Sequence, residues 1–276
     1  MNKPEPTGYE NEPDELFLPL PEDLYCSFFH HQTPDTSEEC SYYKDILTSH
    51  SCQNILELGC GTGRISEYLF NAGFNMFGLD NSREMLSFSK HSRQVPTVEM
   101  DMLRLGFSRS FDATILPCNT LNLLQTEQRI KHCLAEIRQV LRSSGLLILH
   151  LFVPDRAMIN NGGKKLFQFN LSDLADGVKL IRETIRTYDP GASLVTLEER
   201  YKIRRLSNNQ KKENYAQTFQ LAAFPAQTWL DIVSKSGFSI LSTHGHFNQS
   251  TFLENQDSTL LLVAQFSQPK NATHLS

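Results

Sequence analysis

The chain has 276 residues, 39% hydrophobic and 21% charged, and 26 lysines and arginines against 31 acids give a net charge of -5. That length can bury a sizeable core and points to one α/β-sized domain with an elaboration, while the acidic balance argues against a nucleic-acid or anionic-membrane partner. No run approaches the roughly 20 apolar residues that cross a bilayer, Met1-Asn2-Lys3-Pro4-Glu5-Pro6 lacks the apolar centre of a signal peptide, and cysteines without a CxxC pair read as free thiols in a reducing, cytoplasmic setting.

Residues 1–22 carry Pro4, Pro6, Pro13, Pro19 and Pro21 among acids, a composition expected of a mobile arm. Tyr25, Phe28 and Phe29 follow, and residues 37–49 read as a helix with Tyr42, Tyr43, Ile46 and Leu47 on one side. From Asn54 the rhythm is strand, turn, helix. Strands are predicted at 55–58, 74–79, 95–100, 111–116 and 146–153, with helices at 62–71, 82–91 and 126–142 between them. Repeated βα units imply a parallel sheet with helices on both faces.

The pattern then changes. Residues 177–188, 192–204 and 212–224 read as three extended segments, the first two joined by the turn Asp189-Pro190-Gly191. In the second, Val195, Leu197, Glu199, Tyr201 and Ile203 alternate with Thr196, Glu198, Arg200 and Lys202, the period of a strand with one wet face. A helix at 225–236, with Pro225 in its first turn, and strands at 237–243 and 259–266 complete the chain. The expected partition is an arm (1–22), a cofactor-binding core (23–153), an inserted antiparallel flap (154–224), and the last helix with two core strands (225–276).

The most informative stretch is Ile55-Leu56-Glu57-Leu58-Gly59-Cys60-Gly61-Thr62-Gly63-Arg64. Without side chains at Gly59, Gly61 and Gly63 the backbone can turn tightly and approach a ligand, and the following helix offers free N–H groups. A dinucleotide loop would set its third glycine one place later, where Arg64 stands, so this spacing after Glu57 favours an S-adenosylmethionine pocket over one for NAD. Glu57 joins the cofactor set by orienting the loop or Arg64, and Cys60 lies within the loop itself. Asp80 ends the second strand, where a carboxylate can accept both ribose hydroxyls, and Asn81 follows it. Asp101, ending the third strand, could accept the exocyclic amine of adenine, with Met85 and Met102 on the ring faces.

These segments, with Gly78-Leu79-Asp80-Asn81-Ser82-Arg83-Glu84-Met85-Leu86 and Phe111-Asp112-Ala113-Thr114-Ile115-Leu116, resemble the core motifs of class I S-adenosylmethionine-dependent methyltransferases. The resemblance covers residues 36–153 well and the last helix and strands loosely. It implies a Rossmann-like, doubly wound seven-stranded sheet, mostly parallel with its last strand antiparallel. The three-stranded antiparallel insertion is similar to the substrate flap of small-molecule members, including some sugar and glycine N-methyltransferases. By that resemblance the backbone of Leu116 and Pro117 borders the methionine moiety, and Asn119 and Asn122 face cofactor or acceptor. Tyr25, with Phe28 and Phe29, sits on a lid. From their place on the flap Glu199 and Arg200 could bind a charged acceptor, the other reading being a solvated strand face, and Phe152 is a further acceptor-site candidate.

Methyl transfer needs mainly alignment, dryness and a deprotonated nucleophile. Where a base is needed, His150 near the end of the fifth strand and His246 in the loop before the last strand are the candidates. Pro117-Cys118 would suit a cytosine-C5 methyltransferase nucleophile, but the companion Glu-Asn-Val is replaced by Leu151-Phe152-Val153-Pro154. The expectation is methyl transfer from S-adenosylmethionine to an N or O atom of a small molecule, by a monomer or homodimer without metal. The rival from another class is a non-catalytic cofactor-binding regulatory or scaffold subunit.

Overall fold

The structure is a computed structural model and describes residues 17–19, 21, 37–90, 94–108, 110–174, 178–205 and 212–266. The arm expected over 1–22 and the aromatics Tyr25, Phe28 and Phe29 fall largely or wholly outside these residues. The elements in chain order are β1 (Leu18–Pro19), α1 (Ser37–Ser49), β2 (Asn54–Leu58), α2 (Arg64–Asn71), β3 (Asn75–Asp80), α3 (Arg83–Lys90), β4 (Thr97–Glu99) and β5 (Phe111–Leu116). A 3-10 turn (Thr120–Leu124) leads to α4 (Glu127–Val140), β6 (Leu141–Phe152), α5 (Arg156–Asn160), β7 (Leu166–Leu174), β8 (Val178–Asp189), β9 (Leu194–Arg205), β10 (Lys212–Ala222), α6 (Ala226–Lys235), β11 (Phe238–His244) and β12 (Thr259–Phe266).

Seven strands form one sheet in the order β11-β12-β6-β5-β2-β3-β4. Strands β2 to β6 run parallel, and β12 runs antiparallel to both its neighbours. This is the doubly wound, Rossmann-like sheet that the sequence predicts. The central strands are apolar on both sides because helices cover both faces. One face packs Ile130, Leu134 and Ile137 of α4 with Trp229 and Ile232 of α6, and the other packs Tyr43 and Leu47 of α1 with Ile65 and Leu69 of α2. At the sheet end remote from the glycine loop, Asp112 accepts hydrogen bonds from the backbone N–H groups of Gln53 and Asn54 and pairs with Arg142 at 2.6 Å.

A second sheet has the order β1-β10-β9-β8-β7. Its strands β7 to β10 are antiparallel, and the two-residue β1 adds in parallel to β10. The flap expected as three strands therefore carries a fourth long one, β7. There Phe167, Phe169 and Leu171 alternate with Gln168, Asn170 and Ser172 as regularly as any strand in the chain, but the apolar side is exposed, as Gln168 and Asn170 are. β6 also starts earlier than its predicted 146: Leu141 pairs with Phe111, and a register shift with Ser144 at φ +62° separates that pair from Ala113 and Leu146. Helical spacing in the sequence runs through this segment and hides the switch.

A buried side chain braces the insertion against the core, alongside a longer bond from Gln125 Nε2 to the Gln220 carbonyl at 3.4 Å. Asn122, fully buried in the 3-10 turn, donates from Nδ2 to the carbonyls of Phe152 and Ala222 and accepts from the Phe152 N–H. Those partners stand where the chain leaves the core sheet and where the flap ends. Asn122→Ala strands buried polar groups, and it is expected to cost about 3 kcal/mol. A lowered melting temperature reads that loss, and an unchanged one would refute the bracing role.

Candidate functional site

The carboxyl ends of β2, β3 and β5 open, with the inner face of β8 to β10, onto one cavity of about 520 Å³. A crevice beyond the carboxyl ends of parallel strands is where open α/β sheets bind ligands. The glycine loop forms its floor. Gly59, Gly61 and Gly63 all have positive φ, at +67°, +53° and +76°, and a Cβ on Gly59 would overlap the Thr120 side chain. The loop is held from the next strand: Gly61 N–H donates to Asp80 Oδ2 at 2.7 Å and Ser82 N–H donates to Asp80 Oδ1 at 2.9 Å. Asp80 thus fixes the loop and starts α3 while still lining the cavity. Glu57, buried beneath, accepts the Ser66 hydroxyl, and Met85 stands beside Gly61. Glu57, Gly59, Cys60, Gly61, Arg64 and Asp80 all line the cavity, whereas Gly63 shapes the loop from behind.

The end of β5 forms the adjoining wall. Cys118 and Asn119 have φ of +53° and +59°, two consecutive left-handed residues in a region costly for side-chain-bearing residues. Next to them Arg64 Nη2 pairs with Glu39 Oε2 at 2.8 Å, and Glu39 Oε1 lies 3.8 Å from His150 Nδ1 and accepts from the Cys118 thiol, also at 3.8 Å. Burial alone would raise the Glu39 carboxyl, but His150 and Arg64 outweigh it and hold Glu39 below its ordinary value. The Cys118 residue opens to the cavity, yet desolvation of the thiol, reinforced by Glu39, pushes it up to about 12. A thiol so raised is protonated at neutral pH, which removes the thiolate that C5-type chemistry requires. Within the same neighbourhood Arg64 Nε and Nη1, Tyr43 OH, Asn119 Oδ1 and His150 Nδ1 are buried without a hydrogen-bond partner among the described residues. Of these residues Arg64 and Asn119 line the cavity, where unpartnered polar atoms can meet a polar ligand, whereas Tyr43 and His150 lie behind its wall.

The flap supplies the opposite wall. Across β8, β9 and β10, Arg182, Glu199 and Gln217 share its inner face. Glu199 is only 2% exposed. It accepts from Arg182, from Tyr201 OH at 2.6 Å and from Gln217 Nε2 at 2.7 Å. Three donors satisfy the buried carboxylate and pin those side chains in place. Leu197, Phe219 and Leu221 complete an apolar surround.

Several expected residues stand elsewhere. Arg200 projects from the outer face of β9, bonded to Glu198 at 2.8 Å and with Phe17 over its guanidinium, because consecutive strand residues cannot both face inward. Asn122 is the brace described above, and Phe152 packs in the small core at the flap base with Met158 and Tyr188. His246 is 66% exposed and its ring lies 3.4 Å from Asp257, and His150 stops behind Glu39 and Phe247 without lining the cavity. Asp101 spends an oxygen on the N–H of Leu103, two residues on, while Met102 packs toward the core, and neither lines the cavity. Asn81 is exposed outside it. Pro117 borders the cavity and the Leu116 side chain turns into the core. Tyr25 lies outside the described residues.

Glu39 escaped sequence reasoning, and Glu199 was weighed there, with Arg200, for a charged acceptor against a solvated strand face; both carried a signal. Glu39 shares its helix side with Tyr42, Tyr43 and Ile46, and Glu199 shares its strand side with Leu197, Tyr201 and Ile203. A carboxylate inside an apolar stripe is buried with partners or serves a site.

Comparison with known proteins agrees with this geometry. Residues 56–149 match the family described as methyltransferase domain. The putative methyltransferase YqeM of Bacillus subtilis (strain 168) is 24% identical over 265 residues, covering 94% of this chain and 96% of that protein. Glycine/sarcosine N-methyltransferase of Aphanothece halophytica is 32% identical over 121 residues, 41% of this chain and 46% of the relative, so the match spans less than half of each. Among solved structures, S-adenosylmethionine-bound CalS10, an amino pentose methyltransferase from Micromonospora echinaspora, superposes with a TM-score of 0.71 at 18% identity, covering 88% of this chain and 97% of that one.

Proposed function

We propose that this chain, a class I S-adenosylmethionine-dependent methyltransferase, methylates an N or O atom of a small-molecule acceptor held between the glycine loop and the flap. The observation that carries the reading is the shared cavity: the loop fixed by Asp80 faces the pinned set Arg182, Glu199 and Gln217 across about 520 Å³. That volume lies in the range of small-molecule sites. The residues fit the cofactor on two counts. The bare backbone at Gly61 leaves open space, where a Cβ would meet nothing nearer than Met85 Sδ at 4.0 Å, and Arg64 keeps buried N–H groups without hydrogen-bond partners among the described residues for a carboxylate.

When bound, the cofactor supplies a methyl group already activated by a sulfonium. The chain supplies the rest. Gly59, Cys60 and Gly61 admit the donor against bare backbone, and Asp80 holds the ribose with the lone pairs its two backbone donors leave. Arg64 and Asn119 hold the amino-acid end. In this reading residues 154–224 are the acceptor lid, residues 23–153 with 225–276 form the cofactor core, and closure of the lid excludes water and aligns the acceptor. Neither His150 nor His246 lines the described cavity, so approximation and desolvation account for the rate in preference to a histidine base. The glycine/sarcosine relative is an N-methyltransferase, which supports nitrogen as the atom methylated.

The test is twofold. Calorimetric titration with S-adenosylhomocysteine should show one site per chain. Incubation with S-adenosylmethionine and a panel of small amines and alcohols should yield, by mass spectrometry, a product heavier by one methyl. Tight binding with methylation confined to protein or nucleic acid would overturn the small-molecule assignment.

A further inference from the structure

The strand β7 closes one side of the flap sheet, and its outer backbone edge pairs with no described strand. Along it Phe167, Phe169 and Leu171 are 61%, 65% and 57% exposed. A long edge strand with an apolar row in water is a surface that soluble proteins normally blunt with charge, proline or a bulge. None of these interrupts residues 166–172. The row is symmetric about its middle member.

We propose that β7 is a self-association edge, on which a second copy of this chain pairs its own β7 antiparallel about a two-fold axis at Phe169. In that register Phe169 faces Phe169 of the second copy, Phe167 faces Leu171 in both directions, and Gln168 faces Asn170 on the other side of the ribbon. Lys165 then comes opposite the position of Asp173. Pairing shifted by one or two residues either way brings fewer of the apolar positions together, so the sequence selects this register. The contact is isologous, the same patch serving both copies, and it closes at two chains. Side chains of this size and exposure present about 350 Å² of apolar surface per copy, of which edge pairing covers a part, well short of the roughly 800 Å² of a standard stable interface. The association is therefore weak and concentration-dependent. It joins the two flaps through β7, so each cavity wall on β8 to β10 is stiffened by the other copy.

Sedimentation velocity of the full chain over a concentration series reaching about 200 micromolar should show a rise from monomer to dimer. Phe169→Arg sets two like charges face to face at the axis and should hold the chain as monomer with its melting temperature unchanged, since the site is exposed in the single copy. For register, Phe169→Cys should form a disulfide-linked dimer on mild oxidation, well above the background of the parent's own thiols, whereas Gln168→Cys should not. A chain that stays monomeric throughout, a dimer indifferent to Phe169→Arg, or equal cross-linking from positions 168 and 169 would overturn the proposal.

Discussion

Asp80→Ala is expected to weaken binding of S-adenosylhomocysteine by roughly 100-fold, since hydrogen bonds to a charged acceptor contribute about 1.5–3 kcal/mol each. The carboxylate acts at two levels. It anchors the glycine loop through the Gly61 N–H and the start of α3 through the Ser82 N–H, and in the proposed function it also receives the ribose. Asp80→Asn separates these levels. An amide keeps one acceptor oxygen, so the loop retains part of its anchorage, but its NH₂ now faces a backbone donor or a ribose hydroxyl that the carboxylate accepted from. Titration calorimetry on both variants, with melting curves to confirm folding, reads the effect. A folded Asp80→Ala protein with parental affinity would exclude Asp80 from the cofactor seat.

The second large effect falls on Glu39. Its ion pair with Arg64 is nearly dry, with side-chain exposures of 11% and 12%. Removing one member leaves the other charge uncompensated, so Glu39→Gln should destabilise the fold by about 3 kcal/mol near pH 7. The acid dependence has a defined sign. Because the folded-state carboxyl lies below its ordinary 4.5, the contribution of Glu39 is fully present above that value and disappears as the pH falls through the folded one. The parent should therefore lose stability in that window and the variant should not, so the gap between their melting temperatures narrows in acid. A gap that is absent at neutral pH, or constant down to the acid limb, would show the pair to be energetically idle.

The sheet was readable in the sequence because its units repeat: each short apolar run, glycine or polar turn, and amphipathic helix reinforces the same answer. The cofactor loop was readable for a related reason, since its chemistry is local and lies within ten consecutive residues. The opposite wall of the cavity was not. Arg182, Glu199 and Gln217 come from three strands and meet only through pairing register, which composition and spacing do not encode strongly. Asn122 shows the reverse difficulty. An asparagine after the fourth strand reads as a ligand contact, but burial turned it inward to satisfy backbone groups from two distant segments. Asp101 has one carboxylate oxygen engaged by its own turn and stands outside the cavity lining, a placement that strand-end position alone does not encode. For the strand β7, alternation was present, yet apolar residues facing water run against the usual sense of the pattern.

The two places where the chain crosses between core and flap, at Phe152 and at Ala222, meet at a single carboxamide. The insertion is thus a module whose socket is built around Asn122, with Gln125 reaching the Gln220 carbonyl beside it. Over evolutionary time its strands could be exchanged or re-lettered for new acceptors while the donor seat stayed as it is, provided the replacement offered its carbonyls to position 122. A chimaera that grafts a foreign flap should be cut outside that socket, keeping Asn122 and the backbone it grips as one unit.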